Sequence, residues 1–135
     1  MRAVLIAGLS LSFALPALGN DAQSERWEYL WEQQALQTAT WAGASYERRL
    51  IVTHNTFWPA IHAKCGAPAR LAGVQAFKAV AVIDANGEVS EFVVFSKDKA
   101  LRCFVEEMVG KKYPAPPFAP FHEGFQMTVR EPNNP

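Results

Sequence analysis

Apart from its N-terminus, this chain has no long apolar run, and it has no excess of charge of either sign. Lys and Arg together number 13 and Asp and Glu number 13 in 135 residues, so the formal charge is zero. A surface this neutral has no electrostatic footprint for nucleic acid and no polybasic patch for anionic lipid. Nucleic acid is therefore not expected as a partner. Catalytic signatures are missing too: there is no GxSxG elbow, no HExxH and no glycine-rich loop to cradle phosphate. Cysteine is scarce, with two residues and no CxxC redox spacing. No internal repeat and no interdomain linker is visible. What remains is half apolar and 12% aromatic, the composition of one globular domain with a modest core.

The apolar run that does exist opens the chain. Arg2 supplies a positive charge, Ala3 to Leu15 are uncharged and largely apolar, and Pro16-Ala17-Leu18-Gly19 closes with small residues. This is the layout of a secretory signal peptide over residues 1–19, cleaved after Gly19. The run is short for a bilayer span and contains Pro16, which makes a retained anchor the lesser alternative. No cysteine follows the small residues, so a lipoprotein anchor is not supported. The expected mature protein is periplasmic or secreted, with no stable membrane insertion after cleavage.

That compartment governs how Cys65 and Cys103 are read. In an oxidising environment an isolated pair is most simply a disulfide. Closing a loop of this length stabilises a fold by ~4 kcal/mol on a chain-entropy estimate. The competing reading is a metal site from His62, Cys65 and Cys103, with His54 or His122 as the fourth ligand. Neither metal nor cofactor is expected.

Periodicity sketches the elements. Trp27, Leu30 and Trp31 form a helical stripe in Asp21 to Leu36, opposite Glu25, Glu28 and Glu32. That Trp pair reads as a helix docked on the core, or as an exposed partner site. Gln37 to Ser45 reads as a connection, and Tyr46 to Thr53 fits strand or helix. Asn55 or Thr56 caps a short helix from Phe57 to Cys65, with Pro59 in its first turn and Gly66-Ala67-Pro68 as its stop. Phe77 to Asp84 and Val89 to Ser96 are β-rich runs joined through Asn86-Gly87, a hairpin signal. A two-residue turn places Phe77, Ala79, Ala81 and Ile83 on one face with Phe92 and Val94. The other face holds Val80, Val82, Val89, Val93 and Phe95, so it is covered by the N-terminal segment or by a partner. Ser96 or Asp98 starts a helix from Lys99 to Val109 with a Leu101, Phe104, Val105, Met108 stripe, ended by Gly110. Tyr113 to Pro120 is stiff and extended, a crossover to the sheet edge or a ligand for an aromatic groove. Gly124 to Arg130 alternates Phe125, Met127 and Val129 with Gln126, Thr128 and Arg130, a third strand, and Glu131 to Pro135 fray.

This order carries a resemblance. Ile61 and Cys65 on a helix, Val82-Ile83-Asp84 with Asn86-Gly87 and Val89, Cys103 in the next helix, the Tyr113-Pro114-Ala115-Pro116 exit and a closing strand around Phe125 follow each other. Together, Trp58 to Val129 resembles the C-terminal domain of TonB-type periplasmic proteins, within them the AgmX/PglI C-terminal branch. The resemblance implies an α+β class: helices on a small three-stranded antiparallel sheet in the order α-β-β-α-β, with an extra N-terminal helix. The implied organisation is a signal peptide (1–19), an N-terminal helical segment and connection (20–55) and a TonB-like domain (56–131). In TonB the edge strand pairs with a segment of an outer-membrane transporter, which makes Gln126, Thr128 and Arg130 the partner-binding candidates here. The family's membrane anchor and long Pro-rich spacer have no counterpart, so the expectation is an interaction module, not an energy transducer.

The three histidines are the acid–base candidates, and Glu123 stands beside His122. Glu106 and Glu107 are adjacent on a helix, so their carboxylates diverge. No catalytic residue is assigned and the chain is not expected to be an enzyme. The leading expectation is a non-enzymatic module that binds an envelope protein by sheet-edge pairing. Its alternatives are a small hydrolase or metal-dependent enzyme using His62 and His122, or a carrier holding a hydrophobic ligand between the sheet and the Trp27/Trp31 helix.

Overall fold

A computed structural model describes residues 19–130. The expected signal peptide, residue 19 apart, and the tail from Glu131 lie outside the described residues. Helix α1 (Gly19–Thr38) and helix α2 (Trp41–Leu71) are followed by strands β1 (Ala76–Ile83) and β2 (Val89–Val94). A 3-10 turn at Lys99–Leu101 leads into α3 (Arg102–Met108), and β3 (Phe121–Thr128) closes the fold. The sheet is antiparallel with order β2-β1-β3. The class is α+β, with an α-β-β-α-β core and an added N-terminal helix.

Helix α2 departs most from the sequence reading. Gln37 to Ser45 is not a connection: Ala39 and Thr40 alone separate the helices, and the Thr40 side chain caps α2 by accepting from the Gly43 amide. From there one helix of 31 residues runs through Pro59, Gly66 and Pro68. The segment boundary expected at 55/56 therefore falls inside it. Its buried face explains the continuity, since Tyr46, Leu50, His54, Ile61, Cys65 and Ala69 recur at helical spacing. Each proline removes a bond to the carbonyl four residues back. Pro59 and Pro68, like Asn55 and Lys64 whose carbonyls they free, are exposed positions open to solvent.

The hairpin keeps its expected facing by a longer route. Asp84 accepts from the Asn86 and Glu88 amides, and Gly87 takes the left-handed φ of +87°. Ile83 pairs with Val89 and Val82 with Glu91, a bulge that restores the register Ala81–Phe92 and Ala79–Val94. Val89 thereby turns into the core, whereas the two-residue turn put it on the other face. Its amide donates to the Lys111 carbonyl, so the chain leaving α3 pins this corner.

Both sheet faces are covered. On one, α2 and α3 pack against Phe77, Ala79, Ala81, Ile83, Phe92, Phe121, Phe125 and Met127. Cys65 and Cys103 are disulfide-bonded there, with Cα atoms 5.6 Å apart, joining the two helices. On the other, α1 lies across the strands: Trp27 stacks on Trp31 and meets Phe95 at 4.2 Å, Leu30 is buried, and Arg26 pairs with Glu91. The Trp pair is thus a docking surface inside the molecule. No helix among the described residues is long and apolar enough to cross a membrane.

Candidate functional site

Strand β3 lies at the sheet edge, and its register shows what faces outward. The Val129 amide donates to the Gln75 carbonyl, which makes the odd-numbered residues from Phe121 to Val129 the pairs bonded to β1. Amides and carbonyls of the even-numbered residues therefore point away from the sheet. At the start of the strand this edge is closed. Gln37 of α1 accepts from the His122 amide at 2.7 Å and reaches the Pro120 carbonyl at 3.1 Å. Beyond it, the outward groups of Gly124, Gln126 and Thr128 have no backbone partner among the described residues, but the Gln34 side chain of α1 lies against Gly124, so the exposed stretch is Gln126 and Thr128. The opposite edge differs, because Gly110 and Lys111 bond both backbone groups of Val89, and α3 flanks the rest of β2.

The expected partner-binding residues thus share one stretch of edge: Gln126 and Thr128 on β3 and Arg130 just past its end, all exposed. Beside them runs a groove of about 560 Å³, walled by Trp58, Pro59 and His62 of α2 and by Thr128 and Arg130. The strand end is held from behind. Arg70 donates to the Val129 carbonyl at 2.7 Å, and Gly66 leaves room for that guanidinium, since a Cβ there would sit 2.9 Å from it. Sequence reasoning missed this clamp and took Gly66 for a helix stop.

The histidines do not assemble a catalytic or metal centre. His54 is buried, with Nδ1 2.9 Å from the Tyr113 hydroxyl and its ring stacked on Phe125, and burial lowers its pKa to about 4. His62 lies two turns on, beside Trp58. His122 points to the opposite sheet face, where Nδ1 is 3.2 Å from the Gln37 amide oxygen. Its pKa is lowered, first by burial and then by Arg26. Glu123 does not orient it, because successive strand residues face opposite ways. No group of three metal-ligating side chains occurs among the described residues.

A buried polar cluster was not foreseen. Glu123 sits on the core face opposite Ala81, 1% exposed, with Oε2 unpartnered. Burial, then the charge and hydrogen bond of Glu47, raise its pKa to about 9. Tyr46, which donates to the Pro114 carbonyl, is pushed up to about 12 by burial and then by Glu123. Tyr113 is raised for the same reasons. Glu123 continues the stripe Phe125, Met127, Val129 two residues back, a signal available had the strand been started at Phe121.

The space left between α1 and the end of β2, beside Trp27 and Phe95, is about 220 Å³, below the roughly 300 Å³ at which small-molecule sites begin. The structure thus defines a disulfide-linked α+β domain with an open strand edge. Comparison with protein-family models, curated proteins and solved structures gives no match to this chain.

Proposed function

We propose that this protein is a non-enzymatic interaction module of TonB-like type. It works in the periplasm or outside the cell and takes up an extended segment of a cell-envelope protein by strand addition to β3. The carrying observation is the exposed edge at Gln126 and Thr128, whose outward backbone groups have no backbone partner among the described residues, an edge of the kind that recruits another strand. The disulfide between Cys65 and Cys103 supports an oxidising compartment. The residue pattern of the first nineteen positions supports export.

Thr128 supplies the test. It faces Ala76 in a pair whose ladder bonds point outward, so proline there removes an edge donor without breaking a bond to β1. A photo-crosslinker at Gln126 should trap one dominant envelope protein in cells. Thr128→Pro should weaken that capture about tenfold, while Thr128→Ala, which keeps the amide, should not. Undiminished capture by a folded Thr128→Pro protein would rule out this edge.

A further inference from the structure

Resting on strand addition at β3, the chemistry around that edge narrows what the added strand must look like. A strand laid along β3 would alternate its side chains between the two sheet faces. On the α2 side they would enter the groove walled by the Trp58 indole, Pro59 and His62, with Arg130 at its end. On the α1 side they would meet a second depression of about 280 Å³, lined by Lys78, Gln126 and Thr128 among others. Lys78 lies directly across from Gln126 in the ladder, its ammonium over the Trp31 ring of α1 at 5.4 Å and its side chain exposed. Arg130 is exposed where β3 ends. The two depressions together present Lys78 and Arg130, with His62 between the helix and the strand, and neither is lined by an aspartate or glutamate. In a chain of zero formal charge, this edge is a local excess of positive charge.

We infer that the segment taken up on β3 is acidic and alternating, with apolar side chains against Trp58 and Pro59, carboxylates on the opposite face against Lys78, and one carboxylate past the end of β3 on Arg130, where the groove ends. Backbone bonds to Gln126 and Thr128 hold any extended strand, and the two cations choose among strands. An acidic partner is drawn in by attraction, and a basic one is repelled at the same two points.

Fluorescein-labelled octapeptides test this against the full-length, disulfide-bonded protein by fluorescence anisotropy. The set is alternating Val-Asp, Val-Ser and Val-Lys, plus a block peptide with four valines followed by four aspartates. The Val-Asp peptide should bind about fivefold tighter than Val-Ser in low salt, with the gap closing at high salt, and Val-Lys should bind weakest. The block peptide has the same charge without the alternation and should bind worse than Val-Asp. Lys78→Gln with Arg130→Gln should remove the difference, so that this variant binds Val-Asp no more tightly than it binds Val-Ser.

Equal binding of Val-Asp and Val-Lys, or indifference to the double substitution, overturns the acidic partner. If Val-Ser binding still falls in Thr128→Pro, strand addition survives that result. Binding of no peptide, or binding unaffected by Thr128→Pro, overturns both. Dimerisation through β3 that shuts the peptides out overturns the acidic segment in favour of a second copy of the chain.

Discussion

A single carboxyl sets the pH behaviour of this molecule. Glu123 is enclosed by Tyr46, Tyr113 and Glu47, and it stays protonated up to about pH 9 instead of titrating near 4.5. Because its folded pKa is raised, its contribution is fully present below pH 4.5 and is lost as pH climbs towards 9. His54 acts in the opposite sense. Its pKa falls from 6.5 to about 4, so its contribution is present above pH 6.5 and is lost on acidification towards 4. Between about pH 4.5 and 6.5 the His54 slope offsets that of Glu123, His122, whose pKa is also lowered, adds to the rise, and above that window Glu123 alone remains. Urea midpoints should therefore be level or rise slightly across that interval and fall steadily to pH 9. Glu123→Gln keeps the shape without the charge, and should raise stability at pH 8 by on the order of 2 kcal/mol and flatten the alkaline fall. A variant that melts like the parent at pH 8 would show that Glu123 ionises freely. The cluster was illegible in the sequence for a simple reason. A glutamate next to a histidine reads as surface, and only the start of β3 at Phe121 places it on the core side.

Among the elements, α1 decides how much of β3 remains open. Its first half is fastened to β2 through Arg26 and Trp27, and its last turn brings Gln37 onto the His122 amide. Leu30, 2% exposed, is buried between these points. Leu30→Ala should cost about 3 kcal/mol, and hydrogen exchange should quicken across α1 and at the His122 amide before the α2 core loosens. Uniform loss of protection would mean that α1 and the core open together. The elements also show where local rules fail. The hairpin was readable because glycine after asparagine favours the backbone that the turn adopts, and α3 because its stripe is short and clean. α2 was not, because Pro59, Gly66 and Pro68 are each a local stop signal. A helix breaker costs up to about 3 kcal/mol, and a buried face running from Tyr46 to Ala69 outweighs it. The need for a cover over the second sheet face was legible from Val80 and Val82. That α1 supplies it follows only from the packing.

At the scale of the whole molecule, the disulfide joins what the sheet alone does not. α3 has seven residues, too few to hold as an isolated helix, and its anchors are Phe104 and Met108 in the core and Cys103 bonded to Cys65 on α2. The same core contains the rings behind the β3 groove, since Trp58 stacks on both Phe104 and His54. Loss of the covalent link should therefore affect the proposed binding edge as well as the fold. For a sequence separation of 38, chain entropy puts the loss at about 4 kcal/mol, a large share of a small domain's stability. Paired Cys65→Ser and Cys103→Ser substitutions should lower the urea midpoint accordingly. They should also weaken strand capture while Gln126 and Thr128 stay intact. If the midpoint drops and capture by the folded fraction does not, the disulfide serves stability alone and the groove is held by α2 and β3 without α3. If neither changes, the buried stripe of α2 suffices, and oxidation adds nothing that binding requires.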